Sequence, residues 1–288
     1  MVNEPIDKEW RMLAMMNESK LLTGVVLTAL MVVALAATIA AEEPQQITDS
    51  TSVQDLKILA SNGNADAMLE YGERLVQGQG IDSNTTQCLS WLQKAADAGK
   101  SEAWYDMGFV YANGAGVKVD LAEAMKYFRK GAEVGNADCQ TSMGMFYQAG
   151  DKIPSGLKAD PVEAIKWYKL AAEQNHTEAI QHLAMLYTMG QGVKPDAAEA
   201  AKLFRKGAEL GNADCIWGLG QCYLTGKGVQ LDTVMAYAMF SASLDGVGNP
   251  EQKKAMTARR DQLGNALTPA QLTKADPIIK DWRAKLKK

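Results

Sequence analysis

From residue 65 to 249 the apolar positions recur at helical spacing in short blocks, set in pairs whose two members are separated by a glycine-bearing loop. The wording of the blocks also recurs. FRKGAEVGNADC at 128–139 returns as FRKGAELGNADC at 204–215, changed at one position in twelve and displaced by 76 residues. Half of that offset is the period: related text begins at Ala65, Ser101, Ala137, Thr177 and Ala213. The five units cover 65–100, 101–136, 137–176, 177–212 and 213–249. Each holds two helical stretches and one turn, which predicts an antiparallel helix pair, and five pairs in series predict an all-α chain built as an α-solenoid.

Positions within the unit have distinct physical roles. The eighth is small (Gly72, Gly108, Gly144, Ala184, Gly220), and because glycine costs a helix about 1 kcal/mol relative to alanine, its recurrence predicts close approach of the partner helix. The eleventh (Leu75, Tyr111, Tyr147, Tyr187, Tyr223) is large and is expected in the core, and Gly78, Gly114, Gly150, Gly190 and Gly226 are expected to end the first helix in the left-handed conformation. Asp120, Asp160 and Asp196, each followed three residues later by glutamate, read as acidic capping boxes that open the second helix, and Pro161 suits its first position. Capping accounts for the spacing of these carboxylates, so they are not read as a catalytic acid and base. Behind them Ala124, Ala164, Ala200 and Ala236, with bulky pairs such as Tyr127 and Phe128, form the buried stripe.

The consensus, A-D-A-x4-G-x2-Y-x2-G-x-G-V-x2-D-x2-E-A-x-K-W/Y-F/Y-x-K-A-A-E-x-G-N, resembles the Sel-one-like repeat family, relatives of the tetratricopeptide repeats. The first unit departs from it in lacking the tyrosine and in carrying Asn84 and Cys88, as befits an end unit, and the third carries an insertion around Lys152 to Ser155. The resemblance implies a right-handed array whose first helices line an inner, concave face that holds a protein or peptide. On that face it places the fifth, ninth and twelfth positions of each unit, among them Leu69, Glu73, Tyr105, Phe109, Met145, Gln181, Met185, Trp217 and Gln221, with Val76, Ala112, Thr141, Gln148, Thr188 and Leu224. Aromatic residues at helical spacing also pack as ordinary core, so Tyr105, Phe109 and Trp217 have two readings.

Stacked repeats need covered ends. Residues 53–64 match the closing half of a unit and are expected to cap the front. Residues 250–288 are expected to form two capping helices, the second opened by Thr268 and Pro269 and kinked or broken at Pro277. This end carries ten Lys and Arg against four Asp and Glu, whereas the whole chain has net charge −4. That mild acidity argues against nucleic acid as the partner.

Before the repeats lies LLTGVVLTALMVVALAATIAA, residues 21–41, which has no charged residue and is long enough to span a bilayer. Two readings stay open: an uncleaved anchor attaching the chain to a membrane, or a signal peptide read from Met16 and cleaved near Ala41. Both place the repeats outside the cytoplasm, after a polar linker at 42–52. Cys139 and Cys215 hold one repeat position two units apart, and Cys215 and Cys222 are about 10 Å apart along one helix, so no disulfide is expected. The four cysteines read as small buried hydrophobes. His176 in an inter-unit turn and His182 at an outer helical position, with Glu178 between them, lack further ligands for a metal. With no phosphate loop or nucleophile motif, neither an enzyme nor a cofactor is expected. The function indicated is a non-catalytic interaction scaffold; the alternative is a small molecule or cell-wall fragment in the concave groove.

Overall fold

The computed structural model describes residues 47, 48, 50–150 and 157–286, so the apolar segment 21–41 and the insertion at 152–155 lie outside the described residues. The described residues from 52 onward form one compact unit. Among the described residues, no helix is long and apolar enough to cross a membrane.

This compact unit contains thirteen α-helices among its described residues. Val53–Ser61 (α1) precedes five pairs: Ala65–Gln77 and Thr85–Asp97 (α2, α3), Glu102–Asn113 and Leu121–Glu133 (α4, α5), Ala137–Ala149 and Pro161–Glu173 (α6, α7), Thr177–Met189 and Ala197–Glu209 (α8, α9), and Ala213–Thr225 and Thr233–Ser243 (α10, α11). Pro250–Gly264 (α12) and Pro269–Lys285 (α13) close the chain.

Each second helix is started by its cap residue acting in both directions. The side chains of Asn84, Asp120, Asp160, Asp196 and Asp232 accept from free amides of the first turn. Their own backbone N–H groups donate to the carbonyls of Leu75, Tyr111, Tyr147, Tyr187 and Tyr223 at 2.9–3.0 Å. That bond corrects the capping-box expectation, because the cap amide is already satisfied and the glutamate need not reach back. Glu123, Glu163 and Glu199 instead pair with Lys126, Lys166 and Lys202 one turn on.

Residues that sequence reading left without a role cap the first helices. Asn64, the last residue of the front cap, and Asn136 and Asn212, the last residues of their units, accept from the amides of Ala67, Cys139 and Cys215. His176 takes this place in the third unit, and Asn175, with φ 65°, stands where the first, second and fourth units have the positive-φ glycines Gly99, Gly135 and Gly211. The repeated words are thereby explained. Gly131 in α5 and Gly207 in α9 leave space filled by Cys139 and Cys215 of the next unit, so GAEVGNADC encodes a turn, a cap and a seam between units.

Within a unit the eighth-position glycine receives the aromatic ring of the second helix. A Cβ on Gly108 would lie 2.6 Å from Phe128, one on Gly144 2.6 Å from Tyr168, and one on Gly220 2.8 Å from Phe240. These rings are buried, as are the stripe alanines. Gly78, Gly114, Gly190 and Gly226 adopt the left-handed conformation as expected; Gly150 does not, with ψ −121° ahead of the insertion.

Three expectations are corrected. The eleventh-position tyrosines are half-buried, because their hydroxyls reach the edge of the helix pair: Tyr147 and Tyr223 accept from Arg129 and Arg205, and Tyr111 stacks on Tyr127 at 5.6 Å. His182 is half-buried and stacked on Tyr168 at 5.1 Å instead of lying on an outer surface. Helix α13 runs unbroken through Pro277, held by buried Ala275 and Trp282 on either side; its start carries the full Thr268–Gln271 capping box.

The first helices of the first four units touch the first helix of the neighbouring unit directly, whereas no second helix has comparable contact with the next second helix among the described residues. First helices therefore crowd on one side of the stack, and second helices fan out on the other. The array ends against α1 at the front and against α12 and α13 at the back.

Candidate protein-binding face

The crowded side presents the ninth position of each unit in series: Glu73, Phe109, Met145, Met185 and Gln221. The middle three are large and apolar yet exposed by 50%, 41% and 38%, and Met189, one turn beyond Met185, is 48% exposed. The other exposed apolar side chains are scattered over the capping helix α1, turns, helix ends and second helices, where isolated exposure is ordinary. Repetition on equivalent positions gives the inner series its significance: one spoke per unit, two of them the thioether, which adapts to irregular surfaces.

The fifth-position residues divide. Thr141 is buried and bonded to Ala137. Trp217 packs its ring 4.1 Å from Phe240 and lies against Leu244, Val247 and Met256, so it belongs to the C-terminal core. Tyr105 is half-buried between Phe109 and Phe128, with ring centroids at 6.3 and 5.7 Å. Leu69 and Gln181 are half-buried, as are Val76, Ala112, Gln148 and Leu224 at twelfth positions, while Thr188 is exposed. The expected face thus narrows to the ninth positions and Tyr105.

Between α2 and α4 the face is indented by a recess of about 430 Å³, lined by Val76, Leu92, Tyr105 and Phe109 together with two acids, Glu73 and Asp106. Asp106 escaped sequence reading because it is the sixth residue of its unit, outside the positions marked as inner; its signal was an acid unique to that position among the middle units. The two carboxyls share a side-chain hydrogen bond, and Asp106 Oδ2 is buried without a partner. Burial, then the neighbouring charges of Glu73 and Glu102, push Asp106 up to about 7, and burial and Glu70 also raise Glu73. A proton donated by Asp106 to the Glu73 carboxylate contributes to the rise of Asp106; the same bond by itself lowers Glu73, whose rise comes from burial and Glu70.

Charge is segregated across the stack. The five first helices contain eight Asp and Glu and a single Lys or Arg, Arg74, whereas the five second helices contain nine Lys and Arg against seven acids. Arg74 is buried and bonded to Glu70 at 2.7 Å.

The histidines serve the seam between the third and fourth units. His176 lies 2.9 Å from Thr141 Oγ1 and 3.0 Å from Asp138, whose carboxyl it holds below the usual range. No cluster of three or more His, Cys, Asp or Glu suited to a metal occurs among the described residues. All four cysteines are unpaired and buried, and burial pushes the Cys88 and Cys215 thiols up to about 12 and raises Cys139 and Cys222.

A stack of capped helix pairs, with glycine-to-ring packing inside each pair and variable apolar spokes on one side, defines a helical-repeat protein of the tetratricopeptide-like class. The chain belongs to the Sel1 repeat family, which matches it at 65–100, 101–136, 137–176, 177–212 and 213–245. It is similar to a Sel1 repeat protein of Oxalobacter formigenes, with 28% identity and TM-score 0.63 over 80% of this chain and 99% of that one. It is also similar to c5321, a protective antigen of uropathogenic Escherichia coli with the same repeat fold, with 25% identity and TM-score 0.50 over 81% of this chain; the match spans 56% of that chain. Comparison with curated proteins finds no match. Sel1 repeats generally mediate protein–protein interaction and are typically non-catalytic scaffolds.

Proposed function

We propose that this chain is a non-catalytic adaptor, working outside the cytoplasm, that holds a segment of a partner protein along the first-helix face of its repeats. The observation that carries this reading is the series Phe109, Met145 and Met185, exposed apolar side chains on equivalent positions of three successive units. The fold does not require them there: the core is complete without them, and exposed large apolar groups in a row cost solubility unless a partner covers them. The location rests on the uncharged segment 21–41, which either anchors the chain or directs it across a membrane.

The test is a triple variant, Phe109→Ser, Met145→Ser and Met185→Ser. Because the side chains are exposed, each change should alter stability by about 1 kcal/mol or less. The variant is expected to melt close to the wild type and to lose the partner that co-purifies with the wild type. A variant that folds and keeps the partner overturns the assignment of this face.

A further inference from the structure

The recess between α2 and α4 gives the proposed binding face a chemical preference. We propose that it seats a lysine or arginine side chain of the bound protein segment, with the cation between Glu73 and Asp106 and the neighbouring apolar residue of that segment against Tyr105 and Phe109. This inference rests on the binding face argued above and specifies its partner.

Three observations support it. The two acids sit in a recess whose remaining lining is mostly apolar, with Gln77 its one other polar aliphatic side chain; Val76, Leu92 and Val110 line the wall and Phe109 stands half-exposed at the rim. Such walls suit the aliphatic stem of lysine or arginine, which packs on apolar surface while its head seeks a polar partner. Next, the fixed charges felt by the pair are all acidic: Glu70 and Glu102 act on Glu73, and Glu102 and Asp138 act on Asp106. Asp106 Oδ2 is left buried and unbonded, and a buried carboxylate oxygen without a donor is costly. An entering ammonium or guanidinium supplies the missing donors and takes over from the shared proton. Finally, the five first helices contain one Lys or Arg, Arg74, which is already bonded to Glu70. The charge of the first helices therefore favours a cationic segment over an acidic one.

The test uses the full-length protein and three fluorescent peptides of equal length, alternating leucine with lysine, with glutamate or with serine, titrated by anisotropy at near-physiological salt. The lysine peptide is expected to bind at least about tenfold more tightly than the other two. E73Q/D106N should remove that advantage, whereas E133Q/E173Q, which neutralises two exposed acids at the ends of second helices, should retain it. Equal binding of the lysine and serine peptides, or equal loss in both double variants, overturns the cation seat. If Phe109→Ser then weakens both peptides alike, the apolar binding face survives without its cationic preference. If no peptide responds to the serine triple variant, the binding face itself fails.

Discussion

Replacing Asp106 by asparagine should stabilise the protein at alkaline pH and do almost nothing in acid. The aspartate is raised from its ordinary 3.8 to about 7, first by burial and then by the charges of Glu73, Glu102 and Asp138, with Glu70 acting on its partner Glu73. Its folded form therefore holds a proton that the unfolded chain has lost between about pH 4 and pH 7. Stability is full below the unfolded value and falls as pH rises through the folded one. At about 1.4 kcal/mol for each pH unit, the rise from 3.8 to about 7 corresponds to a ceiling of about 4 kcal/mol. Sharing of the proton with Glu73 and water at the mouth of the recess lower the realised penalty to about 1–3 kcal/mol. Asparagine keeps the shape and can donate to Glu73 without carrying a charge. Urea unfolding of both proteins at intervals from pH 4 to pH 8 should show equal stability near pH 4 and a widening advantage for the variant up to pH 8. Curves that stay parallel, or a variant less stable at pH 8, would refute the argument that Asp106 is a buried carboxyl held at a cost.

Two further outcomes follow from the packing. Gly108→Ala should destabilise by about 1–2 kcal/mol in thermal unfolding, because the new Cβ would fall 2.6 Å from the ring of buried Phe128 and the overpacking outweighs the gain in helix propensity. Gly72→Ala should cost less than half of that, since the atom it meets at 2.9 Å is the end of the flexible Leu92 side chain; equal losses would contradict the packing described. The four cysteines should stay unlabelled by a thiol reagent at pH 8 in the folded protein and all react once it is unfolded, because burial holds their thiols protonated. Rapid labelling of the folded protein, or fewer than four thiols in the unfolded one, would count against the placement of these residues.

The helices were legible because each is set by local chemistry repeated five times. Gly108, Gly144 and Gly220 marked the close approach, and Asp120, Asp160 and Asp196 marked the second-helix starts. What escaped depended on contacts that repetition alone does not encode. The glutamates three residues after the caps looked like half of a capping box until the carbonyls of Tyr111, Tyr147 and Tyr187 were found to occupy the cap amides. Pro277 signalled a break, but buried Ala275 and Trp282 on its two sides hold the helix through it. The candidate face was legible as a periodicity and not as an exposure: Phe109 and Trp217 are both aromatic residues at marked positions, yet only Trp217 finds cover, from Phe240 and the chain's C-terminal segment. The carboxyl pair of Glu73 and Asp106 arises between units, from different positions of each, so no single repeat displays it.

The claim on which everything else depends is that partners are held on the first-helix side of the stack. A photo-crosslinking amino acid placed singly at Phe109, Met145 and Met185, and for comparison at Lys126, Lys166 and Lys202 on the second helices, tests it directly in cells. All three inner positions should give one and the same protein adduct and the outer three none; adducts from the outer positions, with the inner ones silent, would place the partner elsewhere.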